Sequence, residues 1–442
     1  MRCSLRDDAM RTLHIVGTAW LVGWVTVGVP LAAMAAPIGE RIVDGTAIFE
    51  RNGNYTTITA SDGAIIHYDS FDIDHGETVE FIQPDSDSAV LNRIFGDPTI
   101  IMGMLRSNGR VYLLNSAGLY FGGTAVVDVG GLYAVAGSMS NHDFLNNIDR
   151  FTQLTGTVEN WGEVRGEVVG LIGQFVANHG SIVSGSGLVA MVAGGEVAIG
   201  HMGGNIMVTV GADFPDASIT GPGVENTGII DAGEGRVILA AGDVYSLAVR
   251  HPGITRARNI ALEAGSEGRV HVSGTLDASG LEEGGTGGTI HLLGHEVVLE
   301  NATINASGSA GGGEVLVGGD YLGGGDIRTA AHTYVSSGST IDARATDNGD
   351  GGKVILWSDE MTLFYGSIDA RGGDNGGNGG FIETSSKNQL IVGEAHVDAS
   401  AAMGESGLWL LDPRNVSIEA IGGAAPHGTF VGGVFTPDNS TP

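Results

Sequence analysis

Five aspartates, Asp69, Asp72, Asp74, Asp85 and Asp87, are the first residues whose spacing could do chemistry. Paired carboxylates on one exposed face are the working parts of polysaccharide hydrolases and lyases. Alternation puts Asp72 and Asp74 on one face if that segment is extended. Aspartates at strand ends are also ordinary solvated turn residues, and no catalytic set is assigned. His291 and His295 are four apart, which suits a helix face and not the strand expected over Ile290 to Leu293. No His-Glu-x-x-His pattern is present. Asp347-Asn348-Gly349-Asp350-Gly351-Gly352 offers oxygen ligands for a weak Ca²⁺ site, but lacks the alternating spacing of an EF-hand loop and the tandem nonapeptides of a β-roll. Gly372 to Gly380 resembles a phosphate loop in composition only, because no Gly-Lys-Ser/Thr and no helix follow it. Cys3 is the single cysteine and lies upstream of an apolar N-terminal run, so the mature chain has neither a disulfide nor a thiol nucleophile. No metal and no cofactor are expected.

The elements around these residues are short strands. From Ser107 to Gly137 four apolar runs (Val111 to Leu114, Leu119 to Phe121, Val126 to Val129 and Leu132 to Val135) are each cut off by an Asn or Gly turn. They are too short for helices and rich in Val, Leu and Tyr, so they read as β-strands. Asn115 with Gly118, Gly122 with Gly123 and Gly130 with Gly131 supply the turn residues. A chain that turns so often is coiling.

Glycine accounts for 75 of 442 residues, yet 42% of the chain is hydrophobic, which argues against disorder and for glycine as strand punctuation. The formal charge of −30 and the presence of only two lysines, Lys353 and Lys387, exclude nucleic acid as a natural partner. The acidic residues fall mostly in turns and alternate positions, where they keep a strand-rich body soluble and discourage edge pairing.

Leu13 to Val29 is almost wholly apolar, follows Arg11 and runs into Ala33-Met34-Ala35, a small-x-small processing site. Residues 1–35 therefore read as a secretory signal peptide cleaved after Ala35, with Ala33 and Ala35 as the recognition residues and Met10 as an alternative start. A retained membrane anchor is the competing reading, and the small-residue site argues against it.

From Ile230 onward an apolar-Asp/Asn-Ala unit recurs at Asp231, Asp277, Asn305, Asp342, Asp369 and Asp398, each followed by a glycine-rich turn and a short strand. Earlier, Val158-Glu159-Asn160, Val176-Ala177-Asn178 and Val224-Glu225-Asn226 place asparagine at the same point of a looser repeat. Such units cannot bury an apolar face alone and must stack. Stacked asparagines at equivalent turns, with rungs ~4.8 Å apart, form hydrogen-bonded ladders. Unequal intervals imply insertions that leave the coil, the expected ones being Asp320 to Tyr334 and Pro84 to Arg106. At roughly 25 residues per coil, the mature chain would make about 16 rungs and a rod of about 75 Å. The crossover rule for parallel strands predicts a right-handed coil. The expected fold is all-β: a right-handed parallel β-helix, or solenoid, with extruded hairpins or loops.

The order of several motifs resembles the secretion domain of filamentous-haemagglutinin-like exoproteins of two-partner secretion systems. The matching runs are Ala64 to Ile73, Gly76 to Pro84, Ala89-Val90-Leu91-Asn92-Arg93-Ile94, Ile101-Met102-Gly103, Asn108-Gly109-Arg110-Val111-Tyr112-Leu113-Leu114-Asn115 and Val129-Gly130-Gly131-Leu132. A later part, Gly351 to Asp359 through Leu411-Asp412-Pro413, resembles the following region of large exoproteins of this kind. The family's Asn-Pro-Asn-Gly appears here as Asn115-Ser116-Ala117-Gly118, which keeps both ends of the turn.

The resemblance implies a secretion signature containing Asn92, Arg93, Asn108, Gly109, Asn115 and Gly118. It implies residues 36–150 as the two-partner secretion (haemagglutination-activity) domain, 151–418 as a continuing β-helix of irregular repeats and 419–442 as a polar tail. It further implies Sec-dependent export through the periplasm of a Gram-negative cell, a dedicated outer-membrane barrel transporter as partner, and a secreted or surface-held adhesin meeting a receptor on a host or neighbouring cell. The alternatives are a β-helical polysaccharide-active enzyme and a secreted capture protein, for example for haem, with Pro84 to Arg106 as its contact loop. That loop contains no histidine to ligate iron.

Overall fold

The computed structural model describes residues 37–202, 205–211, 221–412, 428–431 and 434–437. The expected signal peptide, with Ala33 and Ala35, lies outside the described residues. Three long sheets of 16, 14 and 11 strands run side by side, and nearly every strand pairs in parallel with its equivalent one coil earlier and one coil later.

The four runs between Ser107 and Gly137 show how one coil is made. Met104–Ser107 lies in the 14-stranded sheet, Arg110–Leu114 in the 16-stranded sheet and Leu119–Phe121 in the 11-stranded sheet; Val126–Asp128 then returns to the first sheet one rung on. Strand alternation sends Leu105, Val111, Leu113, Leu119, Phe121 and Val127 into a common interior that runs the length of the coil. In Arg110–Leu114 and in its neighbour Gly131–Val135 of the 16-stranded sheet the alternate residues are not solvated either. Tyr112, Leu114, Tyr133 and Val135 enter a second cluster on its outer side, so these strands are buried on both faces and read as unbroken apolar runs.

That outer cluster is closed by two segments that leave the coil. One carries a five-residue helix, Asn141–Leu145, whose Ser140 hydroxyl caps the Asp143 N–H and whose Phe144 is buried. The other is the hairpin Glu196–Met202 with Asn205–Gly211, which pairs with Asp149–Phe151. A third extrusion, Asp320 to Ala331, covers a smaller cluster of Leu316, Ile355 and Trp357 and returns to the coil at His332–Val335.

Two expectations about coil length are corrected. Pro84 to Arg106 is not extruded: it holds Ala89–Ile94 and Thr99–Ile101 and enters Met104–Ser107, one strand for each sheet. Its apolar residues are spaced for a coil, and the polar stretch Pro84-Asp85-Ser86-Asp87 is only a turn between two strands. The coil number is also smaller than 16. Of the 16 strands in the largest sheet, Arg41–Asp44, Gly428–Val431 and Val434–Pro437 are antiparallel additions, leaving thirteen coils among the described residues. Twelve rung steps span roughly 58 Å. The extrusions account for the difference: successive strands begin 20 residues apart at Val168 and Leu188, but 48 apart at Leu188 and Arg236, where the hairpin intervenes. Within the expected polar tail, Gly428–Val431 and Val434–Pro437 form a hairpin added to Leu408–Leu410.

The glycine-rich segments are turns, as expected, and one reason is close approach. At Gly313, Gly352, Gly380 and Gly407 a Cβ would strike the carbonyl oxygen of the glycine one coil earlier. Any side chain there would force the coils apart.

Candidate functional site: the signature turn and its supports

Asn115 ends the strand Arg110–Leu114 and is buried, with 1% of its surface exposed. Its Nδ2 donates to the Asp97 carbonyl (2.8 Å) and the Thr99 hydroxyl (3.0 Å), while its Oδ1 accepts the Ala117 N–H (2.9 Å). The Gly118 N–H closes the turn on the Asn115 carbonyl at 3.0 Å, with Gly118 at φ +124, a value that favours glycine. Both signature ends are thus fixed by backbone geometry and burial. Ser116 and Ala117, the positions that depart from the family signature, are exposed. The departure removes no internal packing.

Asn108 uses its side-chain amide as a strand would use its backbone, accepting from the Gln83 N–H and donating to the Gln83 carbonyl, both at 2.8 Å. Gly109 follows where a Cβ would collide with the Ser88 carbonyl and the Gln83 side chain. Asn92 stands in the inward column between Ile66 and Leu113, fully buried. Its Nδ2 donates to the Tyr112 carbonyl at 3.1 Å, and its Oδ1 has no hydrogen-bond partner. Arg93 points the other way. Its guanidinium donates to Asn141 Oδ1 (2.5 Å) and the Met139 carbonyl (2.7 Å), keying the helix-bearing extrusion to the coil. Burial and the neighbouring Arg93 charge hold His67, 3.4 Å away, below the ordinary imidazole range, so it can face the guanidinium uncharged.

The structure brings Asn92, Arg93, Asn108, Gly109, Asn115 and Gly118 onto two consecutive coils, on Ala89–Ile94 and at both ends of its neighbour Arg110–Leu114, but not into one cleft. Each fixes a turn, a register or an extrusion. Sequence reasoning missed Asp149. It accepts the hydroxyls of Tyr112 (2.9 Å) and Tyr133 (2.8 Å), whose rings stack 4.5 Å apart, and so clamps the strand Asp149–Phe151, which follows the helix Asn141–Leu145, over the coil. Burial first, then the Asp149 charge, pushes both phenols well above their ordinary range. The signal was available: Tyr112 and Tyr133 occupy equivalent positions one coil apart.

The expected asparagine ladder is present. Asn160, Asn178 and Asn226 are in register and fully buried, with Asn160 Nδ2 donating to Asn178 Oδ1 and Asn178 Nδ2 to Asn226 Oδ1, both at 2.8 Å. Asn226 Nδ2 then meets His251 Nε2 at 3.1 Å, and Thr255 closes on the same ring nitrogen at 2.8 Å. Burial depresses His251 to about 4. The Asp/Asn repeat does something different. The Oδ1 atoms of Asp231, Asp277, Asn305, Asp342, Asp369 and Asp398 each accept the N–H two residues on, at 2.9–3.1 Å, shaping the turns that follow six strands of the 14-stranded sheet.

The catalytic and metal candidates resolve into turns and local pairs. Asp72 accepts from the Ile100 N–H and the Ser70 hydroxyl (both 2.8 Å), and Asp74 closes a turn with Glu77. Asp85 gathers the Ser88 hydroxyl and the N–H groups of Ser88 and Asp87, which lowers its carboxyl from the ordinary value. His291 pairs with Glu314 (3.1 Å), whereas His295 stacks near His332. The hydrogen bond from His291, supported by Lys353 at 3.2 Å, holds Glu314 down at about 2. Asp347 accepts from Asn375 and Asp350 from the Asn378 N–H, each a turn-to-turn contact one coil on. Among the described residues no group of three or more His, Cys, Asp or Glu side chains is placed to hold a metal ion.

Parallel coiling, a 16-stranded sheet whose early strands are buried on both faces and a signature turn locked at both ends define a right-handed β-helix of the export-domain class. The TPS secretion domain profile matches residues 36–292, more than half of the chain, and the chain belongs to that family. The structure is similar to the HMW1 secretion domain from Haemophilus influenzae, with a TM-score of 0.73 and 31% identity over 85% of this chain and 100% of that one. In sequence, 217 residues are 32% identical to a heme/hemopexin-binding protein of Haemophilus influenzae, covering 46% of this chain and 23% of that protein. A second heme/hemopexin-binding protein from Haemophilus influenzae is 33% identical over 122 residues, 27% of this chain and 13% of the other. The matched region spans a quarter or less of these relatives' length. The chain is accordingly a secreted exoprotein of the two-partner type, and the family's export route is an outer-membrane transporter in Gram-negative bacteria.

Proposed function

We propose that this chain is a surface adhesin that carries its own export signal, with residues 36–150 engaging the outer-membrane transporter first and residues 151–418 following as the continuing coil. The observation that supports this reading best is the Asn115–Gly118 turn, whose ends are fixed inside the coil while Ser116 and Ala117 face outward. Cleavage after Ala35 and Sec export would deliver an unfolded chain to the periplasm. Outside the cell, each completed coil buries a new set of inward apolar residues, and that gain opposes backsliding. No catalytic role is proposed. The test is expression of the full chain in cells with and without a two-partner transporter. Appearance in the medium only with the transporter is the expected result, and efficient release without one would refute the reading.

A second reading, haem capture, is favoured by the similarity to heme/hemopexin-binding proteins. The contact would not be the extruded loop first expected, because residues 84–106 form a coil. Titration of the mature protein with haemin, followed by the Soret band, tests it; absence of a saturable shift discards it.

A further inference from the structure

The outer side of the 16-stranded sheet is covered near its start by the hairpin Glu196–Gly211, whose Val197 and Ile199 pack in one cluster with Ile238 and Ala240. Further on it is covered by the extrusion Asp320 to Ala331, whose Ile327 packs on Leu316, Ile355 and Trp357. Between the two covers lies a cleft of about 270 Å³ over three successive rungs. Its floor is apolar, made by Ile238 and Ala261, which are in register with His291. Along one wall Arg236, Asn259 and Thr289 are in register.

The polar atoms of that wall are arranged with spare capacity. Thr289 Oγ1 donates to Asn259 Oδ1 at 2.9 Å, which leaves the Asn259 amide N–H groups and the Thr289 lone pairs available. Nε2 of His291 is engaged by Glu314, itself paired with Lys353, so that carboxylate is compensated. Glu263 also lines the cleft; burial raises its carboxyl above the ordinary value, only partly offset by the charges of His291 and Arg328. Arg236 has no hydrogen bond or ion pair from its side chain among the described residues. In a chain of net charge −30, arginines such as Arg250, Arg269, Arg344 and Arg371 are paired with acids. An unpaired guanidinium in a half-enclosed cleft is therefore suited to an anion from outside the chain.

We infer that this cleft binds a sugar bearing a carboxylate, a hexuronate unit. The carboxylate fits the planar fork of Arg236. A pyranose ring spans about one rung, ~4.8 Å, so its hydroxyls fall at Asn259 and Thr289 while its C–H face lies on Ile238 and Ala261. A plain organic acid would satisfy Arg236 alone and leave the floor and the Asn259–Thr289 pair unused. Full occupation requires both the charge and the ring.

The experiment is titration of the mature full chain with glucuronate, glucose and acetate by ligand-observed NMR, with Arg236→Ala and Ala261→Phe as variants and far-UV circular dichroism as the folding check. The expected result is saturable glucuronate binding at least about tenfold tighter than glucose or acetate, weakened about tenfold or more by Arg236→Ala and abolished by Ala261→Phe in folded protein. Absence of saturable glucuronate binding up to ~10 mM overturns the inference. Binding unaffected by both variants overturns it too, and acetate binding as tightly as glucuronate overturns the sugar assignment. Should one variant fail to fold, the other and the ligand series still decide.

Discussion

Replacing Asn178 by alanine removes the middle rung of the buried ladder and should destabilise three coils at once. Asn178 accepts from Asn160 and donates to Asn226, at 2.8 Å each, with all three side chains at 0% exposure. Alanine leaves a donor on Asn160 and an acceptor on Asn226 without their short partners, and a buried polar group so stranded costs about 1–3 kcal/mol. Asn160 retains longer contacts to the carbonyls of Gly162 and Ser181, both 3.4 Å, which puts its share at the low end. The sum is about 2–5 kcal/mol. Because a solenoid loses coils locally, the assay should be native-state hydrogen exchange of the strands Thr157–Asn160, Phe175–Asn178 and Val224–Asn226, alongside urea unfolding. Ser116→Ala, on an exposed turn residue, is the control and should stay within about 0.5 kcal/mol. If Asn178→Ala costs less than about 1 kcal/mol, or exchange in those strands is unchanged, the ladder is a passenger of the coil and not one of its supports.

Three further outcomes follow from the geometry. His251, depressed to about 4 by burial, binds a proton less readily than its unfolded counterpart near 6.5, so stability should fall as pH drops from about 6.5 to 4 by up to about 3 kcal/mol; His251→Asn, which can continue the ladder, should flatten that part of the urea-midpoint profile against pH. Asp149→Ala strands two buried tyrosine hydroxyls and should cost about 2–4 kcal/mol while freeing the extrusion to early proteolysis, measured by limited digestion followed by mass spectrometry. The double change Ser116→Pro with Ala117→Asn should be stability-neutral within about 0.5 kcal/mol, since proline suits the second position of this turn and both groups in use survive, the Ser116 carbonyl that accepts from the Thr155 hydroxyl and the Ala117 N–H; secretion yield with a transporter should rise.

Much of this architecture was legible from local chemistry. Leu119–Phe121 is found at the expected bounds, and the other three runs between Ser107 and Gly137 shift by one residue at an end. The asparagine repeat was readable because a buried amide has few satisfied environments, and a stack of its own kind is one of them. The segment at residues 84–106 misled because its polar turn suggested departure from the coil, when three short apolar runs on either side of turns were carrying it round. The coil count failed for a related reason: the residues taken up by the hairpin at 196–211 cannot be told from coil residues by composition. For Asp149 only half the signal was readable: the tyrosine pair repeats one coil apart, but its acceptor lies 37 and 16 residues away, on an extrusion whose return path is a tertiary fact.

The asparagine column also carries information. It begins after Phe121 and ends at His251, with Val272, Leu299, Val335 and Phe364 continuing the same column. A chain winding up one coil out of step would oppose an amide to an aromatic or aliphatic side chain at both boundaries, leaving polar groups stranded twice. Identical repeats tolerate miscounting because every slip looks alike. Three asparagines between two kinds of neighbour give this coil a marked position from which the winding can be numbered.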